Sequence, residues 1–296
     1  MHKRQYLGAA ALIVLLAALW LFIQGLSGGE RLESGLTITA LPVGKADALI
    51  LQEGDTAVLI DTGYEDNGAY LLAELEKRGI ESLDLLLVTH FDKDHVGSAS
   101  YIVDQMEVDT VWMPDYEGDR EEYARFLESL EGHSDAARLT EPVQRQFGEL
   151  SVTVYPAENP EEIQDTDGEY DNDMSLVASV SYGERRFLFT GDIEKTRIRQ
   201  MLASDVDWSH DWIKMPHHGR YQKALKELMD AVQPSWAVIC CSEDEPAEDK
   251  TLELLKEKGI PFWDTADTAV VTGCDGSRIS IWRGRQITEP LDFPGS

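Results

Sequence analysis

The sequence predicts an α/β protein in which two β-sheets pack face to face with helices outside, behind one N-terminal membrane-spanning segment. Three observations carry this. Short apolar runs of strand length, about four to eight residues, recur from residue 36 onward. In each half, successive strands come first and strand–helix alternation follows, the order expected of sheets covered by helices. No break in composition divides residues 36–285, so one large domain is expected there.

The N-terminal segment comes first. "MHKRQY" is short and basic, and residues 7–26 hold an apolar stretch that runs without a charge from Leu7 to Ile23. That is near the lower limit for a spanning helix, with Tyr6 and Trp20 placed to suit the interfaces. Basic residues before the span put the N-terminus in the cytoplasm and the main domain outside. No small-x-small site follows cleanly in "FIQGLSGGE", so an uncleaved anchor is expected ahead of a cleaved signal peptide. Residues 27–35 read as a flexible linker and 286–296 as a tail.

The domain opens with strands "LTITALPV", "DALILQE" and "TAVLIDTG", then a helix in "AYLLAELEKRGI" ended by Gly79. Strand "LDLLLVT" follows, then a helix from near Val96, strand "VDTVWMP" and helix "REEYARFLESLEG". After strand "ELSVTVYP", the acidic stretch "AENPEEIQDTDGEYDND" is expected to be a surface loop over or beside a site. The second half gives strands "MSLVASVSYG" and "RRFLFTGD", helix "IEKTRIRQMLA", strand "DWIKMP" and helix "KALKELMDAV". Strand "SWAVIC", helix "DKTLELLKEKG" and strands "TAVVTG" and "SRISIW" complete it.

Composition limits the function. The 26 Lys and Arg face 55 Asp and Glu, a net charge of -29. Such acidity opposes sequence-independent adhesion to nucleic acid, which needs clustered cations. Three cysteines are too few for a disulfide scaffold. Cys240 and Cys241 end an apolar run and are expected to pack as small hydrophobes; a bond from Cys274 to one of them is the alternative.

The chemistry concentrates in "THFDKDHVG". His90, Asp92, Asp94 and His95 follow an apolar strand, where side chains converge instead of alternating. Imidazole with carboxylate suits borderline to hard divalent ions, zinc first and manganese second. One cluster cannot saturate a metal pair, and two later strand ends supply more: Asp192 in "FLFTGDIE", and His217 and His218 in "WIKMPHHGR". Alone, Asp192 reads as a helix cap and the two histidines as a satisfied loop pair. Together and in this order, the three clusters predict a metal centre.

"THFDKDHVG" resembles the His-x-His-x-Asp-His signature of the metallo-β-lactamase fold, with Asp92 where many members have a second histidine. "DALIL", "VLIDTG", "NDMSLVASVSYGERRFLFTGDIE" and "WIKMPHHG" are similar to the β-lactamase-like domain of the competence protein ComEC. The resemblance covers residues 36–285 and implies an αββα four-layer sandwich with two divalent ions at one edge. It implies that His90 and Asp92 hold one ion and Asp94 and His95 the other, that Asp192 bridges them, and that His217 or His218 completes the second. Asp94 would also hold or deprotonate the attacking water, while Asp47 and Asp61 would orient the metal-binding loop. Lys45 stands where the family has glutamine, Arg220 where serine is common, and "CCSEDEPAED" replaces a further His-containing segment. Lys45 and Arg220 are therefore expected at the substrate, and the multi-spanning channel of ComEC has no counterpart here.

The expected activity is hydrolysis of a phosphodiester, single-stranded DNA being one candidate, at the outer face of a membrane. Hydrolysis of small phosphoesters or other surface esters is the alternative, as is a non-catalytic interaction module keeping the fold.

Overall fold

The computed structural model describes residues 35–133, 135–164 and 170–284. The span expected at 7–26 and the tail at 286–296 lie outside these residues. Among the described residues, no helix is long and apolar enough to cross a membrane.

Among the described residues the chain forms seventeen strands and eight α-helices. β1 (Leu36–Ala40), β2 (Leu49–Glu53) and β3 (Thr56–Ile60) lead to α1 (Gly68–Lys77), β4 (Ser82–Leu83) and β5 (Leu85–Leu87). Then come α2 (Ala99–Gln105), β6 (Glu107–Val108), β7 (Val111–Pro114), α3 (Glu121–Ser129), β8 (Ala136–Leu139), β9 (Val143–Phe147) and β10 (Leu150–Tyr155). α4 (Pro160–Gln164) and α5 (Tyr170–Asp173) precede β11 (Val177–Tyr182), β12 (Arg185–Phe189) and α6 (Lys195–Ala203). The chain continues through β13 (Trp212–Lys214), α7 (Ala224–Val232), β14 (Trp236–Ile239), α8 (Asp249–Glu257), β15 (Phe262–Asp264), β16 (Val270–Cys274) and β17 (Ile279–Arg283).

One sheet has the order β17-β16-β1-β2-β3-β5-β7-β8 and the other β15-β14-β13-β12-β11-β10-β9, with a two-stranded β4-β6 pair beside them. In each, an antiparallel part passes into a parallel part, at β3–β5 in the first and β12–β13 in the second. Period-two alternation builds the layers. Val58 and Ile60 of β3 join the inner core between the sheets, with Leu85, Leu87, Phe187, Phe189 and Trp212. Ala57 and Leu59 point outward, under Leu71, Leu75 and Ile102 of the flanking helices. The second sheet does the same: Leu188 and Ile213 pack beneath Ile198, Leu225 and Leu255. The expected sandwich, with helices on both outer faces, is therefore present. Trp212 also ties the sheets by donating from Nε1 to Thr272 Oγ1 (3.1 Å).

Three features differ from the sequence reading. β8, β9 and β15 were not expected: β9 is polar and exposed through its middle, as edge strands often are, and β15 has three residues. The acidic stretch 157–173 contains two short helices, and its end is not a surface loop, because Asn172 and Asp173 are buried. Asp173 Oδ1 accepts the backbone N–H groups of Glu194 (2.6 Å) and Arg197 (3.3 Å), so it caps α6 from outside that helix. The helix expected from Val96 starts at Ala99. All three cysteines are buried and unpaired, the packing role expected of them.

Candidate metal centre

The carboxyl ends of β3 and β5 in one sheet and of β12, β13 and β14 in the other open onto one edge of the sandwich. Loops at these ends carry Asp61, the His90–His95 segment, Asp192, the pair His217 and His218, and Cys240. This is the position where α/β sheets commonly gather a site.

The local backbone is strained there. Asp61 has φ 58°, His217 φ 45° and His218 φ 51°, three of four non-glycine residues with positive φ among those described. Each such residue costs roughly 1–2 kcal/mol and persists only where its surroundings hold it. Gly97 closes the His90 loop on itself: a Cβ there would meet Lys93 O at 2.3 Å, Gly63 O at 2.5 Å and Glu65 N at 2.6 Å. Backbone bonds complete the frame, with Asp47 N donating to Asp94 O (3.1 Å) and Thr62 N to His95 O (2.8 Å).

Three imidazoles turn their Nε2 atoms to a common point because their Nδ1 atoms are held elsewhere. Asp61 takes Thr89 N and Thr89 Oγ1, each at 2.7 Å, and His95 Nδ1 at 2.8 Å. Since the Thr89 hydroxyl donates to Asp61, it accepts from His90 Nδ1 at 3.1 Å. His218 Nδ1 donates to the Cys240 carbonyl at 2.9 Å. The Nε2 atoms of His90, His95 and His218 are buried and have no hydrogen-bond partner. An orphaned buried polar atom costs about 1–3 kcal/mol, and three aimed together mark a place for a ligand.

Carboxylates surround that point. Asp192 Oδ1 lies 3.3 Å from His95 Nε2, and its Oδ2 lies 3.1 Å from His218 Nε2. Asp94 Oδ2 is 3.4 Å from His218 Nε2, and Asp92 Oδ2 is 3.8 Å from His90 Nε2. Ligand atoms of His90, His95 and Asp192 fall within 4.8 Å of one another, as do those of Asp47, His95 and His218. Asp47 meets the second trio from behind, at 3.8 Å from His95 Nδ1 and 3.5 Å from His218 Nδ1. Those nitrogens face away from the convergence point, so Asp47 does not enlarge the inner donor set. Three nitrogens with two or three carboxylates make a mixed donor set that fits divalent ions of the zinc and manganese type.

The electrostatics agree. Burial pushes Asp192 up, but the charges of His218, His95 and Lys214 hold it well below the usual carboxylate range. Burial likewise opposes ionisation of Asp94, which the close approach and charge of His218 and the charge of His95 outweigh, holding it below the usual carboxylate range. For His218, burial favours the neutral ring, yet Asp192, Asp94 and Asp47 draw a proton to it and raise it to about 9. These carboxylates demand positive charge at the point where the rings converge.

His217 is placed differently from His218. Its Nδ1 is held by Glu194 Oε1 at 2.9 Å, and its Nε2 lies 3.9 Å from Asp192 Oδ2. Arg220, half-exposed, meets the same Glu194 oxygen at 3.3 Å. Lys45 pairs with Glu245 at 3.7 Å, and Arg120 reaches Asp92 Oδ1 at 3.4 Å. The sequence reading of Asp192 as a lone cap does not apply, because Asp173 supplies that cap.

Sequence reasoning missed Lys214, Thr89, Glu194 and the Cys240 carbonyl. Lys214 is the cation at the centre: its ammonium touches Asp47 Oδ2, donates to Gly191 O at 2.9 Å and lies 3.3 Å from Asp192 Oδ1. The signal was available in "WIKMP", since a charge inside an apolar strand must find buried partners. The other three carry no signal of their own in the sequence.

Comparison with known proteins bears on the family and the fold. A profile of the Metallo-beta-lactamase superfamily matches residues 41–242. The chain is similar to ComE operon protein 3 of Bacillus subtilis (strain 168), 26% identical over 250 residues, covering 73% of this chain and 31% of that protein. It is similar also to Recombination protein 2 of Haemophilus influenzae, 26% identical over 214 residues, covering 71% of this chain and 24% of that protein. The chain thus spans a third or less of the length of these curated relatives. Among solved structures it shares the fold of Tm1679, a metal-dependent hydrolase of the β-lactamase superfamily. That match has TM-score 0.52 and 14% identity, and covers 77% of this chain and 95% of that one.

Proposed function

The chain belongs to the metallo-beta-lactamase superfamily, with its metal-dependent hydrolase fold, and we propose that it is a phosphodiesterase of the ComEC-like type. The observation that supports this most is the convergence of three orphaned imidazole nitrogens on a carboxylate that presents one oxygen to each side. In this reading His90, His95, His218, Asp94 and Asp192 would hold two divalent ions, with Asp92 at the rim. Such ions would supply Lewis acidity for the phosphoryl oxygens and a stronger water nucleophile at neutral pH.

The chain's own groups do the rest. Asp94, kept ionised, accepts a proton from the attacking water. Asp61 and Thr89 fix the ring orientations of His90 and His95, and the Cys240 carbonyl fixes that of His218. Arg220 and Lys45 are exposed enough to meet an anionic substrate once released from Glu194 and Glu245. We place the domain outside the cell membrane, anchored through residues 7–26, on the strength of the uncharged apolar stretch and its basic flank.

The test uses the full chain in detergent, stripped of metal and reloaded with manganese or zinc. Release of nucleotides from labelled single-stranded DNA supports the reading, provided a variant carrying Asp94→Ala and Asp192→Ala is inactive. Failure to cut with any divalent ion defeats it.

The net charge of -29 favours a second reading, hydrolysis of small phosphoesters, because a field of that sign repels long polyanions. Cleavage of bis(p-nitrophenyl) phosphate that excess single-stranded DNA fails to inhibit selects this one. A folded chain that hydrolyses neither substrate would be an interaction module.

A further inference from the structure

Arg120 immediately precedes α3, and the loop that carries it is fastened to the His90 segment. The Phe91 ring packs against those of Tyr116 and Tyr123, at centroid distances of 4.7 and 4.5 Å, and all three are buried. The backbone N–H of Phe91 donates to the Tyr116 hydroxyl at 2.7 Å. Arg138 of β8 braces both tyrosines, donating to Tyr116 O and to the Tyr123 hydroxyl at 2.6 Å each. Gly118 lies against the same rings: a Cβ there would meet Tyr123 Cγ at 2.8 Å and Phe91 Cβ at 3.1 Å. Buried aromatic packing thus sets the place of the Arg120 backbone beside the centre.

Its guanidinium is placed unlike the other two cations nearby. Lys45 and Arg220 rest on Glu245 and Glu194, carboxylates outside the inner donor set. Arg120, with its side chain 50% exposed, lies 3.4 Å from Oδ1 of Asp92, whose Oδ2 is 3.8 Å from the orphaned Nε2 of His90. Its Nε comes within 3.5 Å of Asp119, but that carboxylate is 85% exposed and water screens the pair. Asp92 therefore stands between the guanidinium and the convergence point, with one oxygen toward each, and it has a single charge to give. Without an ion, that charge answers Arg120. With an ion at the convergence point it answers the ion, and the positive charge of Arg120 is left uncompensated at the rim. A guanidinium in that state matches a phosphate, which accepts its N–H groups two at a time.

We propose that Arg120 is a substrate-binding residue of this centre, one that grips the phosphate oxygens of the substrate once the centre is loaded. The assignment rests on the two-ion reading given above and narrows its substrate class. Esters carrying a negative charge are preferred to neutral ones, and metal and phosphate each strengthen the binding of the other. On a chain of net charge -29 an anionic substrate needs such a group, because the general field repels it.

The experiment is calorimetric titration of inorganic phosphate into the full chain in detergent, once metal-stripped and once loaded with manganese. The parent, Arg120→Ala and Arg120→Lys are compared, each checked for folding by circular dichroism. In the loaded protein Arg120→Ala is expected to weaken phosphate binding by roughly tenfold or more, and Arg120→Lys to recover only part of this because it lacks the paired donors. In the stripped protein all three should bind phosphate equally weakly, since Asp92 then occupies the guanidinium. Bound manganese, measured on the same samples by mass spectrometry, should stay at the parent value. With bis(p-nitrophenyl) phosphate the loss is expected in KM, with kcat held within about threefold. A loaded Arg120→Ala protein that binds phosphate as tightly as the parent overturns the assignment and leaves the two-ion reading standing. Loss of manganese from that variant, or an equal loss of phosphate binding with and without metal, does the same. A parent that takes up no ion overturns the two-ion reading itself, and the assignment with it.

Discussion

The Nε2 of His218 stands 3.1 Å from the Oδ2 of Asp192, yet that nitrogen has no hydrogen-bond partner. In the two-ion reading both atoms would serve an ion and not each other. His217, one residue earlier, has its Nδ1 committed to Glu194 and its Nε2 farther away. His218→Ala is therefore expected to lose one ion per chain and at least about 100-fold in hydrolysis, a larger effect than loss of an orienting partner. His217→Ala should keep both ions. Metal content by mass spectrometry separates the two variants, and the reverse pattern would sink the assignment.

Asp61 combines a left-handed backbone with a carboxylate that serves Thr89 and His95 together. Asparagine tolerates the same backbone conformation, so Asp61→Asn isolates the side chain. Its amide would present a donor toward His95 Nδ1 and the Thr89 hydroxyl, which both donate in the parent. Metal affinity is expected to fall about 10- to 100-fold with the circular dichroism spectrum unchanged. An affinity within threefold of the parent would refute the orienting role.

Gly97 carries the tightest steric demand near the centre, because the three atoms a Cβ would strike are all backbone. No side chain can swing aside to relieve it. Gly97→Ala is expected to cost about 3 kcal/mol of stability, at the upper end for an overpacked site. Denaturant unfolding of the metal-free protein measures this without interference from ligand binding. A loss under about 0.5 kcal/mol, the range of neutral surface changes, would contradict the packing argument.

Away from the metal centre, His210 is a buried neutral histidine. Its Nδ1 donates to Trp208 O (2.9 Å) and its Nε2 accepts from the Ser179 hydroxyl (2.7 Å). Burial above all pushes it down to about 4. The unfolded chain protonates this residue first as the pH falls through its ordinary value near 6.5. The stabilisation is thus complete above that pH and is lost on the way down toward 4, for roughly 3 kcal/mol in all. Between pH 7 and 4.5 the parent should lose about 2 kcal/mol more than His210→Gln in denaturant unfolding. Equal losses would show that the ring is not held neutral.

Much of the centre could be read from the sequence because its residues sit in three short segments, each after an apolar strand. The strands that carry His90, Asp192 and His218 are buried on both faces, so their composition announces them. What escaped had a physical reason. β9 is polar because it is an edge, and β4 and β6 have two residues each, too few for any periodicity. The capping role of Asp173 depends on a helix 21 positions later in the chain, and no local pattern links them. The choice between His217 and His218 rests on which Nδ1 meets Glu194 and which meets a backbone carbonyl. Only the three-dimensional path of the chain supplies that.

The pairing of β1 with β16, Leu36 opposite Cys274, sets an order in time. During synthesis β1 can join β2 and β3 at once, but its other edge stays open until almost the whole domain has been made. The sheet bearing the His90 loop is then unfinished while that loop is already present, and long-range pairing of this kind is slow. The last strands to leave the ribosome, β16 and β17, are the ones that complete the first sheet, and their arrival closes the edge beside β1.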